Sequence, residues 1–200
     1  MKLMSRTLLA LALVLTPAGL SAQAAWDAPS FMRPGAPMGM TLALTDSDPG
    51  DGLGVLAVWR NAAAPTGIGF RAGLSEAPGD DVAGLFGIDV SGSLSGELGP
   101  GAPEAIWWTG AGVGVGDDLT ASFPLGLVFG WTARDEGVSF MPYAGGHVVL
   151  DVFTGGDDDL DLDAAVDLGL DIAFSRGWTF RFGAAIGGRE SLGIGVTIPR

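Results

Sequence analysis

The chain has 200 residues, a length that suits one domain. Gly 34 is more than twice the ordinary share of about 7% but shows no G-X-Y period, which excludes collagen, while 48% hydrophobic and 16% charged residues exclude a charge-rich disordered chain. Cys 0 excludes disulfide frameworks, thiolate metal sites and cysteine nucleophiles, and a net charge of -13 excludes a nucleic-acid partner, which needs a basic surface.

Residues 1–24 read as a cleaved signal peptide. Lys2 and Arg6 give a positive start, Leu8 to Leu15 is an apolar run too short to span a bilayer as a helix, and Ala22-Gln23-Ala24 supplies the small-x-small cleavage pattern. Cleavage would remove two of the 10 basic residues and no acid, moving the net charge from -13 to -15. The chain is therefore expected to act outside the cytoplasm. Residues 25–37 hold three prolines and no period, and read as an extended N-terminal leader.

From residue 38 to residue 200 one pattern dominates, a period of two. It is cleanest over 160–174, where Leu160, Leu162, Ala164, Val166, Leu168, Leu170, Ile172 and Phe174 alternate with Asp161, Asp163, Ala165, Asp167, Gly169, Asp171 and Ala173. A helix would scatter those aspartates round its axis, whereas a strand sets them on one side. Ten strands follow, at 38–46, 52–60, 66–75, 82–94, 105–116, 118–133, 138–154, 160–175, 177–187 and 190–198. Asp48-Pro49-Gly50, Pro78-Gly79-Asp80, Gly116-Asp117-Asp118, Gly155-Gly156-Asp157 and Gly187-Gly188 serve as turns. Short turns make an antiparallel meander, and closure into a barrel hides its edges. The first or second strand could merge or drop out, so the expected fold is an all-β barrel of eight to ten strands.

Three features set the apolar face outward, against lipid. The other face is mostly Gly, Ser, Thr and Ala, which suits a lumen better than a solvated sheet. Ten residues tilted by roughly 40° span about 25 Å, the height of an outer-membrane apolar band. Finally, Trp59, Trp107, Phe129, Trp131, Phe140, Phe174, Trp178 and Phe180, from neighbouring strand ends, fall at one rim of the apolar face. That is the pattern of an interfacial aromatic girdle. Turns at the opposite rim carry Asp46, Asp48, Asp51, Glu76, Asp80, Asp81, Asp117, Asp118, Asp157, Asp158, Asp159 and Glu190 with Arg189 as the only base, so that end is acidic.

On this patterning, the chain resembles the small outer-membrane β-barrel proteins of bacteria, over the signal peptide and about 38–198. It departs from them at its end, Ile198-Pro199-Arg200, where such barrels usually finish on an aromatic. The resemblance implies a transmembrane barrel in the bacterial outer membrane, a lipid environment, and the outer-membrane insertion machinery as a partner.

Hairpin geometry predicts a lumen charge cluster of Tyr143, His147, Asp151, Asp163, Asp167, Asp171 and Arg181. A tight turn near Arg176 sets Asp171 opposite Arg181. A five-residue loop after Thr154 sets Asp151 opposite Asp163, His147 opposite Asp167 and Tyr143 opposite Asp171. The like-charged Asp151 and Asp163 are expected to raise one pKa or bind a cation. His147 with Asp167 could form a base and its orienting acid, but no serine adjoins it, so no catalytic residue is assigned. The acidic turn at 155–159 lacks the spacing of the calcium-binding motifs, so no metal site or cofactor is assigned; its carboxylates suit loose divalent bridging to lipid phosphates.

The function expected is a structural barrel or a narrow pore for small solutes or ions, not an enzyme. One alternative is a soluble secreted or periplasmic barrel enclosing an apolar ligand. A second is an outer-membrane barrel enzyme using His147.

Overall fold

A computed structural model describes residues 26–47, 52–61, 66–77, 81–94, 103–116, 119–175 and 177–198. The signal peptide, Arg176, and the turns at 48–51, 78–80, 117–118 and 155–159 lie outside the described residues.

The described strands are β1 (Gly39–Ser47), β2 (Leu53–Asn61), β3 (Thr66–Ala77), β4 (Asp81–Ser93), β5 (Glu104–Val115), β6 (Leu119–Gly130), β7 (Ala133–Asp135), β8 (Val138–Thr154), β9 (Leu160–Phe174), β10 (Thr179–Gly187) and β11 (Ser191–Ile198). Apart from β6 and β7, each pairs antiparallel with its neighbour in sequence, and β1 pairs with β11. β6 pairs directly with β8, and the three-residue β7 continues the β6 arm of the same hairpin, pairing with the start of β8. The barrel wall therefore has ten strands.

The sixth predicted strand is interrupted after Gly130. Pro142, which faces Trp131 across the hairpin, offers its carbonyl to Trp131 N at 3.1 Å. It has no N–H to return, so the ladder lapses there before resuming at β7. At the turn before β10, Gly177 adopts φ 89° and its N–H returns to Phe174 O at 2.8 Å. That tight turn delays β10 to Thr179.

The registers fix the tilt. From Thr41, paired residues lead one way through Val58, Arg71, Gly87, Gly112 and Ser122 to Asp151 on β8. The other way they lead through Thr197, Thr179 and Ala173 to Ser139 on the same strand. From position 139 to position 151 is a stagger of about 12 residues, slightly above the strand number, which goes with a strand tilt of roughly 35–45°.

The alternation resolves into an inside and an outside. On β9, Leu168 is 44% exposed while Asp167 and Asp171 are 2% and 0% exposed. On β6, Phe123, Leu125, Leu127 and Phe129 face out, and Thr120, Ser122 and Val128 face in. The apolar surface thus covers the exterior.

The core lies inside the barrel, and half of its story is the N-terminal leader. Residues 26–37 form neither helix nor strand. They run through the lumen, where Trp26, Ala28, Phe31 and Met32 are buried against Leu56, Val58, Leu85, Ile106, Trp108, Val128 and Val149 of the wall. Burying Phe31 and Met32 is worth about 1.5–3 kcal/mol each. The inner face is therefore more apolar on β2, β5, β6 and β8 than a water-filled channel would be.

Candidate functional site

The lumen holds four groups of charged side chains, contributed by the strands of the wall, the leader and the turn after β10. On β9 and β10 the register pairs Asp171 with Arg181, and Arg181 Nε donates to Asp171 Oδ1 at 3.0 Å. Arg33 of the leader donates from Nε to the other oxygen of Asp171. One buried carboxylate thus serves two guanidiniums, one on the wall and one on the leader. Arg33 Nη1 also donates to the carbonyls of Pro34 and Gly35, both at 2.7 Å, which bends the leader round its own side chain.

The second group lies on the opposite wall. Arg60 on β2 reaches across β3 to Asp89 on β4, donating at 2.7 and 3.2 Å. The crossing is possible because Gly69 lies between them: a Cβ there would stand 2.5 Å from Asp89 Oδ2. Beside this pair, Arg71 donates to Ser30 O of the leader at 2.9 Å and lies 3.7 Å from the centroid of the Trp26 ring. Among the described residues Arg71 forms no ion pair.

His147 Nδ1 and Asp167 Oδ2 are 2.7 Å apart, with both side chains buried. The imidazole also packs on Trp108, ring centroids 5.7 Å apart. Tyr143 lies over Gly169, where a Cβ would stand 2.0 Å from the phenol Cζ.

The fourth group corrects two expectations. The register of β8 with β9 pairs Asp151 with Asp161, His147 with Ala165, Tyr143 with Gly169 and Met141 with Asp171. The pairing is displaced by two residues from Asp151 opposite Asp163, His147 opposite Asp167 and Tyr143 opposite Asp171. A turn of several residues leaves register free in steps of two, which keep the same faces together. His147 still meets Asp167, diagonally. Nor are Asp151 and Asp163 left facing each other for a free cation. Arg189, from the turn after β10, folds into the mouth of the lumen and contacts Asp151, Asp27 of the leader, and Asp163 at 3.4 Å. Its guanidinium is the cation, and it belongs to the protein rather than to the solvated acidic rim.

Outside, Phe129, Trp131, Phe140, Phe174, Trp178 and Phe180 are exposed, and Trp59 and Trp107 are half-buried. All lie near the strand ends at the rim where the leader joins β1. Phe174 meets Phe180 edge-on at 5.8 Å, and Trp59 packs beside Phe70 at 5.6 Å.

Sequence reasoning singled out the β8–β9–β10 half of the lumen and missed Asp27, Arg33, Arg60, Arg71, Asp89 and Arg189. Arg60, Arg71 and Asp89 were open to the same alternation argument, since each occupies an inward position of its strand. The leader carried a compositional signal. Trp26, Phe31 and Met32 amid prolines are unlike the polar content of a solvated linker.

No family model matches the chain, and no curated protein matches it. Among solved structures it is similar to one described as KdgM porin, with a TM-score of 0.41 and 9% identity over 80% of this chain and 99% of that one. A likeness that distant is no evidence of a shared function.

Proposed function

We propose that this protein is an outer-membrane β-barrel, non-enzymatic, whose lumen is narrow and closed at rest by its own N-terminal segment. One observation carries the membrane reading: the barrel is inverted relative to a water-soluble one. Leu168, Leu125 and Ile194 cover the outside, while Asp171, Arg181, Arg71 and Asp89 are sealed within. A continuous apolar surface of this extent on a monomer has no counterpart in water and suits acyl chains. A soluble barrel enclosing an apolar ligand would need the opposite arrangement. Ten strands are also too few for a wide aqueous channel, which takes roughly 16.

The buried state of His147 supports the non-catalytic reading. The imidazole is held by Asp167 and stacked on Trp108, so its use on a substrate would require the lumen to empty first. Lumen charges paired in this way fix the interior of a barrel, and the lipid bilayer and insertion machinery are the partners that follow.

The test is membrane fractionation followed by gel migration with and without boiling. The protein is expected in the outer-membrane fraction, with a folded band that shifts on heating. A monodisperse protein in detergent-free buffer would overturn the reading. Hydrolysis of lipid or peptide substrates that is lost in His147→Ala would overturn its non-enzymatic part.

A further inference from the structure

The leader sits in the lumen as a ligand sits in a site. Two consecutive carbonyls are read by wall arginines: Ser30 O by Arg71 at 2.9 Å and Phe31 O by Arg181 at 2.6 Å. The side chains between them have fitted places. Phe31 and Pro29 rest on Gly183 and Gly193, where a Cβ at Gly193 would stand 2.8 Å from the Phe31 ring and one at Gly183 would stand 3.1 Å from Pro29 Cβ. Trp26 lies between Arg71 and Trp108, its ring 5.2 Å from the latter. The segment is gripped by charge at both ends, Asp27 by Arg189 and Arg33 by Asp171. Its backbone is held in a conformation it would not keep alone, with Phe31 at φ 50°. An aromatic residue stays in the left-handed region only where its surroundings over-determine it.

Carbonyl-reading donors combined with aromatic slots are how proteins bind extended peptides. We propose that the lumen is a binding channel for an extended peptide that carries its aromatic and proline residues in the order found in residues 26–37, that those residues occupy it in cis, and that this occupancy keeps the barrel shut. The proposal rests on the membrane reading above. It goes beyond that reading in assigning the interior a ligand class and making closure reversible.

The experiment uses the full chain in planar bilayers. The absence of cysteine lets Pro29→Cys with Gly183→Cys form a single defined bond between leader and wall. Each single-cysteine variant serves as a control. In a background loosened by Phe31→Ser, the reduced double-cysteine protein is expected to show openings, and oxidation is expected to reduce them about tenfold or more, because tethering raises the local concentration of the leader. A synthetic peptide of residues 26–37 is then expected to block the openings of the loosened protein, and a scrambled peptide of the same composition is not. Identical traces in the oxidised and reduced states, or equal block by the scrambled peptide, would overturn the proposal. Should Phe31→Ser not fold, Arg33→Ala loosens the same segment and is read in the same way.

Failure of the membrane reading has a different signature, since such a protein would not enter vesicles or shift on heating. The occupancy itself is then read by maleimide labelling of Pro29→Cys. Slow labelling of the folded chain and fast labelling in denaturant support it, and equal rates overturn it.

Discussion

Asp171 is the carboxylate on which Arg181 closes, at 3.0 and 3.1 Å from Nε to its two oxygens. Asp171 is fully buried, and Arg33 reaches it from the leader. The wall and the segment inside it therefore share one counter-charge. Asp171→Ala would leave two guanidiniums buried without it, a loss of about 3–5 kcal/mol. Arg33→Ala should cost less, since Arg181 still holds the carboxylate. The two changes together should fall short of their sum, with a coupling of about 0.5–3 kcal/mol. Urea titration of the folded gel band measures all three, and strict additivity would show that the leader does not contribute to this ion pair.

The outward face of β9 gives the sharpest test of the medium. Leu168 stands in the middle of that strand and points out, between Ala144 and Ala184 in register. Leu168→Arg should cost about 2–4 kcal/mol if the surrounding medium is the bilayer midplane, and within about 0.5 kcal/mol if it is water. Folding yield into lipid vesicles, compared across a urea series, separates the two.

The glycines of the inner face have a different test. A Cβ at Gly169 would stand 2.0 Å from the ring of Tyr143 on the neighbouring strand. The ring is buried and cannot swing into solvent, so Gly169→Ala should overpack the lumen and destabilise by about 1–3 kcal/mol. Pairing it with Tyr143→Ser should restore most of the loss. If the double variant is no better than Gly169→Ala alone, the contact is not the cause.

Much of this interior was legible from alternation alone, because period two assigns faces without needing the register. Asp167 and Asp171 face inward and Leu168 faces outward whether a hairpin slips by two or not. The register itself was legible only where the turn is tight. The turn between Phe174 and Trp178 leaves one pairing, which sets Asp171 beside Arg181. The longer turn between Thr154 and Leu160 leaves several, and the chain takes the one that brings Asp151 to Asp161. Arg189 was read as a rim base because turns are normally solvated. Its long side chain reaches back to Asp151 and Asp163 instead. The leader was least legible. It has no period, so its place depends on the cavity formed by ten strands closing, which no local pattern of residues 25–37 encodes.

The tryptophans divide into two populations that lipid can tell apart. Trp59, Trp107, Trp131 and Trp178 lie on the outer surface at one rim, Trp131 and Trp178 being the most exposed pair among them at about half, while Trp26 and Trp108 are buried against each other inside. In a bilayer, the outer group would sit at headgroup depth, where indole rings are favoured. Lipids carrying bromine high on the acyl chain should therefore quench the fluorescence of the outer group and leave the inner pair untouched. Trp178→Phe should lower the quenched fraction, and Trp108→Phe should lower only the unquenched remainder. Bromine placed near the chain ends should quench less than bromine near the headgroup, because the girdle lies at the edge of the apolar band. Quenching that falls as much in Trp108→Phe as in Trp178→Phe would place lipid, not the leader, in contact with the inner indoles, and the inside and outside of the barrel would have to be exchanged.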